Sequence, residues 1–139
     1  MADHWQKQAD NEPLFPALIW NKPETKQTAG KLLIIGGQKD HFSNLAKVYQ
    51  QATNAGAGHI KVLVPDSLAK IIDFLPGVEF APANASGGFG SISLANMLDV
   101  GNWADMVLLA GDFGKSSETT LVLDKFVDQF SGWLSISSA

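Results

Sequence analysis

The chain has 139 residues, a formal charge of −4 and no cysteine, with 45% hydrophobic and 17% charged side chains. Its length suits one domain, for which roughly 100 to 200 residues is usual, and its composition is that of a globular chain with enough apolar residues for a core. Disulfides, thiolate catalysis and zinc–thiolate sites are excluded, and ten scattered basic residues offer no stripe to phosphates, so no nucleic-acid partner is expected.

Residues 1–30 are polar and aperiodic, broken by Pro13, Pro16 and Pro23, and read as an amino-terminal arm and loop before a domain over 31–139. The first ten residues lack the basic start and apolar core of a secretion signal. Nothing approaches the ~18 apolar residues of a membrane span, so no membrane contact is expected and cytoplasm is the expected compartment. One apolar patch, with Phe15, Leu18, Ile19 and Trp20, is expected to pack the arm down.

From Lys31 the texture changes. Leu32 to Ile35 is an aliphatic run too short for a helix, as in a parallel strand buried on both faces. Leu45, Val48, Tyr49 and Ala52 then fall on one face of a helix that ends at Gly56. Ile60 to Val64 predicts a second strand. Pro65 stops it, and Asp66 is placed to cap a helix bearing Leu68, Ile71, Ile72 and Leu75 that closes at Pro76-Gly77. A short strand over Val78 to Phe80 leads into a loop of small residues, Ala81 to Gly90. Leu94, Met97 and Leu98 support another helix, Asp105 to Leu109 a fourth strand, and Leu123, Phe126, Val127 and Phe130 a last helix before a fifth strand from Trp133 to Ile136.

About five strands alternating with four helices imply an α/β three-layer sandwich around a mostly parallel sheet. The chain stops within three residues of its last strand, so one sheet face there is expected to be bare, to be covered by a partner, a second copy included, or by further chain.

Ligands of such sheets bind where strand carboxyl ends meet glycine-bearing loops. Gly36-Gly37 and Gly111 to Gly114 are therefore candidates for close backbone approach, with ordinary turns as the alternative. Asp112 is a base, a metal-facing carboxylate, or a turn residue capping local amides. Of His4, His41 and His59, whose spacing suggests no metal site, His41 alone lies in the loop after the first strand, and His59 reads as a strand start. Ser116, Ser117, Glu118 and Thr119 read as a helix cap before phosphate ligands. Gly87, Gly88 and Gly90 make either a mobile loop over the site or a plain connection. Neither a Gly-x-Ser-x-Gly elbow nor a Walker loop is present.

Three segments in order carry a resemblance: Gly30-Lys31-Leu32-Leu33-Ile34-Ile35-Gly36-Gly37, the stretch closing on Ala55-Gly56-Ala57-Gly58, and Ala104-Asp105-Met106-Val107-Leu108-Leu109-Ala110-Gly111-Asp112-Phe113-Gly114. Over about residues 22 to 136 the chain resembles the amino-terminal half of the NAD(P)H-hydrate dehydratases, of the ribokinase-like superfamily. The resemblance implies a ribokinase-like fold, here incomplete, and metabolite repair: dehydration of hydrated NAD(P)H driven by ATP or ADP with Mg2+. It places Gly36, Gly37, Ser43, Asn44, Gly111, Asp112 and Gly114 on the substrate side, with a nicotinamide nucleotide as the partner molecule.

The chain differs from that pattern in three places. Ser43-Asn44 stands where relatives have Gly-Ala, and Ala110 to Gly114 where they have Gly-Pro-Gly-Leu-Gly. A carboxylate at Asp112 would repel a phosphate 4 Å away by about 4 kcal/mol at an effective dielectric near 20. The late Gly-x-Gly-Asp motif, whose aspartate is implied to take the proton, is absent, so no catalytic residue is expected and the chain alone is expected to be inactive. Two other readings stay open: a non-catalytic nucleotide-binding or oligomerising remnant of that family, and a ribokinase-like kinase of a sugar or vitamin precursor.

Overall fold

A computed structural model of the chain describes residues 9–11, 15–17, 21–73 and 75–137. Its centre is a five-stranded sheet in which every pairing is parallel: β1 (Lys31–Ile35), β2 (His59–Pro65), β3 (Val78–Ala81), β4 (Met106–Ala110) and β5 (Trp133–Ser137), in the order β3-β2-β1-β4-β5. Among the described residues there are three α-helices, α1 (Ser43–Asn54), α2 (Ser93–Trp103) and α3 (Ser117–Gln129), and two 3-10 turns.

The sheet has a core on each face because its inner strands alternate aliphatic residues without a polar side. Leu33, Ile35, Leu63, Val107 and Leu109 pack with Met97 of α2 and Val122 and Phe126 of α3. Ile34, Val62 and Val64 pack on the opposite face with Leu45 of α1 and with Leu68 and Ile72. The α3 ring of Phe126 is fully buried and stacks on Phe130 at 5.2 Å between centroids; removing such a ring costs about 3–5 kcal/mol. At Gly101 in α2 an added Cβ would lie 3.1 Å from the Phe130 ring, so a small residue lets the two helices close up.

Helix α1 follows the predicted face, with Leu45 buried and Val48, Tyr49 and Ala52 half-buried, and ends just before Gly56 at φ +96°. The helix expected after Pro65 does not form. Asp66–Leu68 is a single 3-10 turn, and the Asp66 carboxylate accepts from the Ala83 backbone N–H at 3.0 Å instead of capping its own segment. Leu68 and Ile72 are buried as the apolar spacing suggested, but Ile71 is 43% exposed. A segment of about ten residues is too short to hold a helix by itself, and here its cap is spent on a distant loop. In α3, Val127 also departs from expectation and lies exposed.

Phe15 of the arm is 60% exposed, so it does not pack down. Leu18, Ile19, Trp20 and His4 lie outside the described residues. The 3-10 turn Lys26–Thr28 does meet the domain: a Cβ at Gly58 would sit 2.0 Å from the Lys26 carbonyl oxygen.

Among the described residues the two faces of the sheet are covered unequally. α1 and the turns after β2 cover β1 and β2 on their side of the sheet, whereas beside α1 an apolar groove remains, walled by Leu32, Val48, Ala52, Met106 and Leu108. Trp133, paired with Met106 across β4–β5, is 80% exposed there. Among the described residues, no helix is long and apolar enough to cross a membrane.

Candidate functional site

The strand order reverses between β1 and β4. The loop after β1 leads into α1 on one face and the loop after β4 leads into α3 on the other, so the two connections part and leave a crevice at the strand carboxyl ends. A cavity of about 260 Å³ opens there, lined by Gly37, residues 40–45, Gly111 and Asp112.

The two glycine turns contribute differently. Gly36 is buried under β4: a Cβ there would fall 1.9 Å from the Ala110 carbonyl oxygen. Its role is close packing of β1 on β4, and it does not line the cavity. Gly37, at φ +88°, does line it, and a side chain there would strike Leu45. Gly111, at φ +93°, has nothing within 4 Å of an added Cβ. It therefore presents bare backbone to the crevice. Gly114, at φ +82°, faces the Gln38 side chain outside the wall, and its N–H donates to Asp112 Oδ1 at 2.7 Å.

Ser43 and Asn44 are the first residues of α1, whose N-cap Phe42 provides no side-chain acceptor. The helix thus opens onto the cavity with its amide dipoles uncapped by any side chain, which gives that wall partial positive character. Opposite in sign are the carboxylates of Asp40 and Asp112. His41 meets one of them: its Nδ1 is 3.4 Å from Asp112 Oδ2, with side chains 58% and 47% exposed respectively. Reciprocal backbone hydrogen bonds between Gln38 and His41, at 3.0 and 3.1 Å, hold the loop in a tight hairpin.

Asp40, Phe42 and Leu45 are wall residues that sequence reasoning missed, although all three sit in the short loop and helix start where Ser43, Asn44 and His41 were singled out. Also missed was Asn84, which organises the support. Its Nδ2 lies 3.0–3.2 Å from Ser116 Oγ, Thr119 Oγ1 and the Phe89 carbonyl, one acceptor more than its two protons can serve. Its Oδ1 accepts from the N–H groups of Ser86 and Gly88. The small-residue loop is therefore a packed strut: Gly87, Gly88 and Gly90 are buried, and the Gly87 carbonyl accepts from Lys39 N–H and Ser67 Oγ.

Ser116 caps α3 by accepting from Thr119 N–H, as the cap reading had it, while Glu118 accepts from the Ser91 N–H of another loop at 2.8 Å. His59 opens β2, at the amino end of the sheet.

Charge and shape together suit uncharged polar groups such as hydroxyls and carboxamides, which can use both the α1 amides and the carboxylates. No lysine lines the cavity, and among the described residues no three His, Asp or Glu side chains come together to hold a metal.

The fold is that of a solved ribokinase-like superfamily protein from Enterococcus faecalis V583, to which the chain is similar at TM-score 0.60 and 18% identity, over 81% of this chain and 38% of that one. This chain thus spans well under half of that protein's length. No family model matches the sequence, and no curated protein matches it significantly.

Proposed function

We propose that the chain binds the hydrated ring of a nicotinamide nucleotide at the switch-point cavity, as the substrate-side half of a ribokinase-like site for ATP- or ADP-driven dehydration. The observation that carries this reading is the crevice between β1 and β4, where Gly37, the open backbone of Gly111 and the uncapped start of α1 converge. A hydrated dihydronicotinamide ring is uncharged and bears a hydroxyl and a carboxamide, which is the chemistry these walls accept. Its phosphates would stay at the open mouth, away from Asp40 and Asp112. Nucleotide and Mg2+ would be held outside this cavity, by groups of a longer polypeptide or a second copy. Titration calorimetry with hydrated NADH and hydrated NADPH tests the reading, with binding expected and no recovery of nicotinamide absorbance when ATP or ADP is added to the chain alone.

A second reading, a ribokinase-like kinase of a small sugar or vitamin precursor, is favoured by one observation. Two carboxylates on one small cavity accept hydrogen bonds from several hydroxyls at once. Titration with a panel of polyols and vitamin alcohols separates the two. Failure of every ligand at millimolar concentration would leave the chain a purely structural role.

A further inference from the structure

Three features outside the fold's needs stand out: the groove beside α1, the Lys31 and Lys61 ammonium groups over the Trp103 ring, and the His41–Asp112 contact. The groove is apolar and no described segment shows what would cover it, and Lys61 is already paired with Glu79 at 2.8 Å. The third carries an argument.

An ion pair this exposed adds little to folding, yet both partners are fixed from behind. The Gly114 N–H holds Asp112 Oδ1, and the Gln38–His41 hairpin holds the His41 backbone. What remains free to act is Asp112 Oδ2 toward Nδ1, which leaves Nε2 on the far side of the ring. Such contacts are often long before a ligand arrives, and 3.4 Å is within reach of closing. The carboxylate can only accept, so a neutral imidazole that bonds to it carries its proton on Nδ1 and presents Nε2 as a bare acceptor.

We propose that Asp112 is a positioning residue that sets the tautomer of His41, and that Nε2 of His41 accepts a hydrogen bond from a hydroxyl of the molecule in the cavity. The pair would then distinguish a hydroxylated ligand from its unhydroxylated counterpart. The hydroxyl half of this inference rests on the proposed function; the tautomer half does not.

Nitrogen-15 NMR of the full chain with its imidazoles uncharged tests the first half without any ligand, the His41 signals being assigned by their loss in His41→Gln. The Nδ1–H form is expected. In Asp112→Asn the new side chain keeps an oxygen for the Gly114 N–H and turns an amide donor toward Nδ1, so the ring should switch to the Nε2–H form. An Nε2–H ring in the unsubstituted protein, or no switch in Asp112→Asn, overturns the inference. Calorimetry with hydrated NADH against NADH tests the second half. The unsubstituted chain should prefer the hydrated form by about fivefold, as for one hydrogen bond, and both variants should lose that preference while still binding NADH. An equal preference in the variants overturns the hydroxyl role. If neither compound binds the unsubstituted chain, the proposed function falls and the hydroxyl role with it, while the NMR result still decides the tautomer.

Discussion

Two glycine turns lie side by side at the carboxyl edge of the sheet and look alike in sequence, yet the structure uses them for opposite purposes. At Gly36 the missing side chain is filled by protein, with the Ala110 carbonyl where a Cβ would be; at Gly111 the space is left open. Glycine after a parallel strand therefore marks close approach, and what approaches is decided by the neighbouring strand. Here one turn joins the two halves of the sheet and the other leaves room between them.

Substitutions can break this contrast. Gly36→Ala should have the largest effect, about 3 kcal/mol or more, because a backbone oxygen cannot swing aside as a side-chain end can; urea unfolding would show it as a lowered midpoint. Asn84→Ala should follow at roughly 2–3 kcal/mol, since it strands Ser86 and Gly88 amides and frees the α3 cap from the loop. Protease sensitivity across residues 82–90 should rise with it. Gly111→Ala meets no atom and should cost only the left-handed penalty of about 1 kcal/mol, yet it should weaken hydrated-NADH binding in calorimetry by narrowing the crevice. Smallest is Asp112→Asn, expected within about 0.5 kcal/mol of the parent in stability. A stability loss at Gly111 equal to that at Gly36 would erase the distinction between the turns.

The strands were legible because the inner strands of a parallel sheet take continuous aliphatic runs too short for a helix, as in Leu32 to Ile35 and Met106 to Leu109. The helix expected over Leu68 to Leu75 shows where that logic stops. Its apolar spacing is real, and Leu68 and Ile72 are buried, but a cap works only if its carboxylate stays local, and Asp66 bonds to Ala83 seventeen residues away. The site was half legible for a similar reason. Gly37, Gly111, Asp112, His41, Ser43 and Asn44 do meet at one cavity, since strand order alone brings those loops together. That Gly36 and Gly114 stand behind the wall, and that Asn84 ties the β3 and β4 loops, depends on contacts between segments whose sequences carry no mark of one another.

The exposed Trp133 gives the molecule a built-in optical reporter. Of the four tryptophans, this one stands 80% open to water on the Met106 side of the β4–β5 pair, whereas Trp103 sits beneath two ammonium groups at the opposite side of the sheet's amino end. Whatever settles over that side, be it a second copy, a longer chain or a helix from elsewhere, must dry the Trp133 indole and shift its fluorescence to the blue. Quenching by iodide should fall in step, so assembly can be followed without attaching a dye.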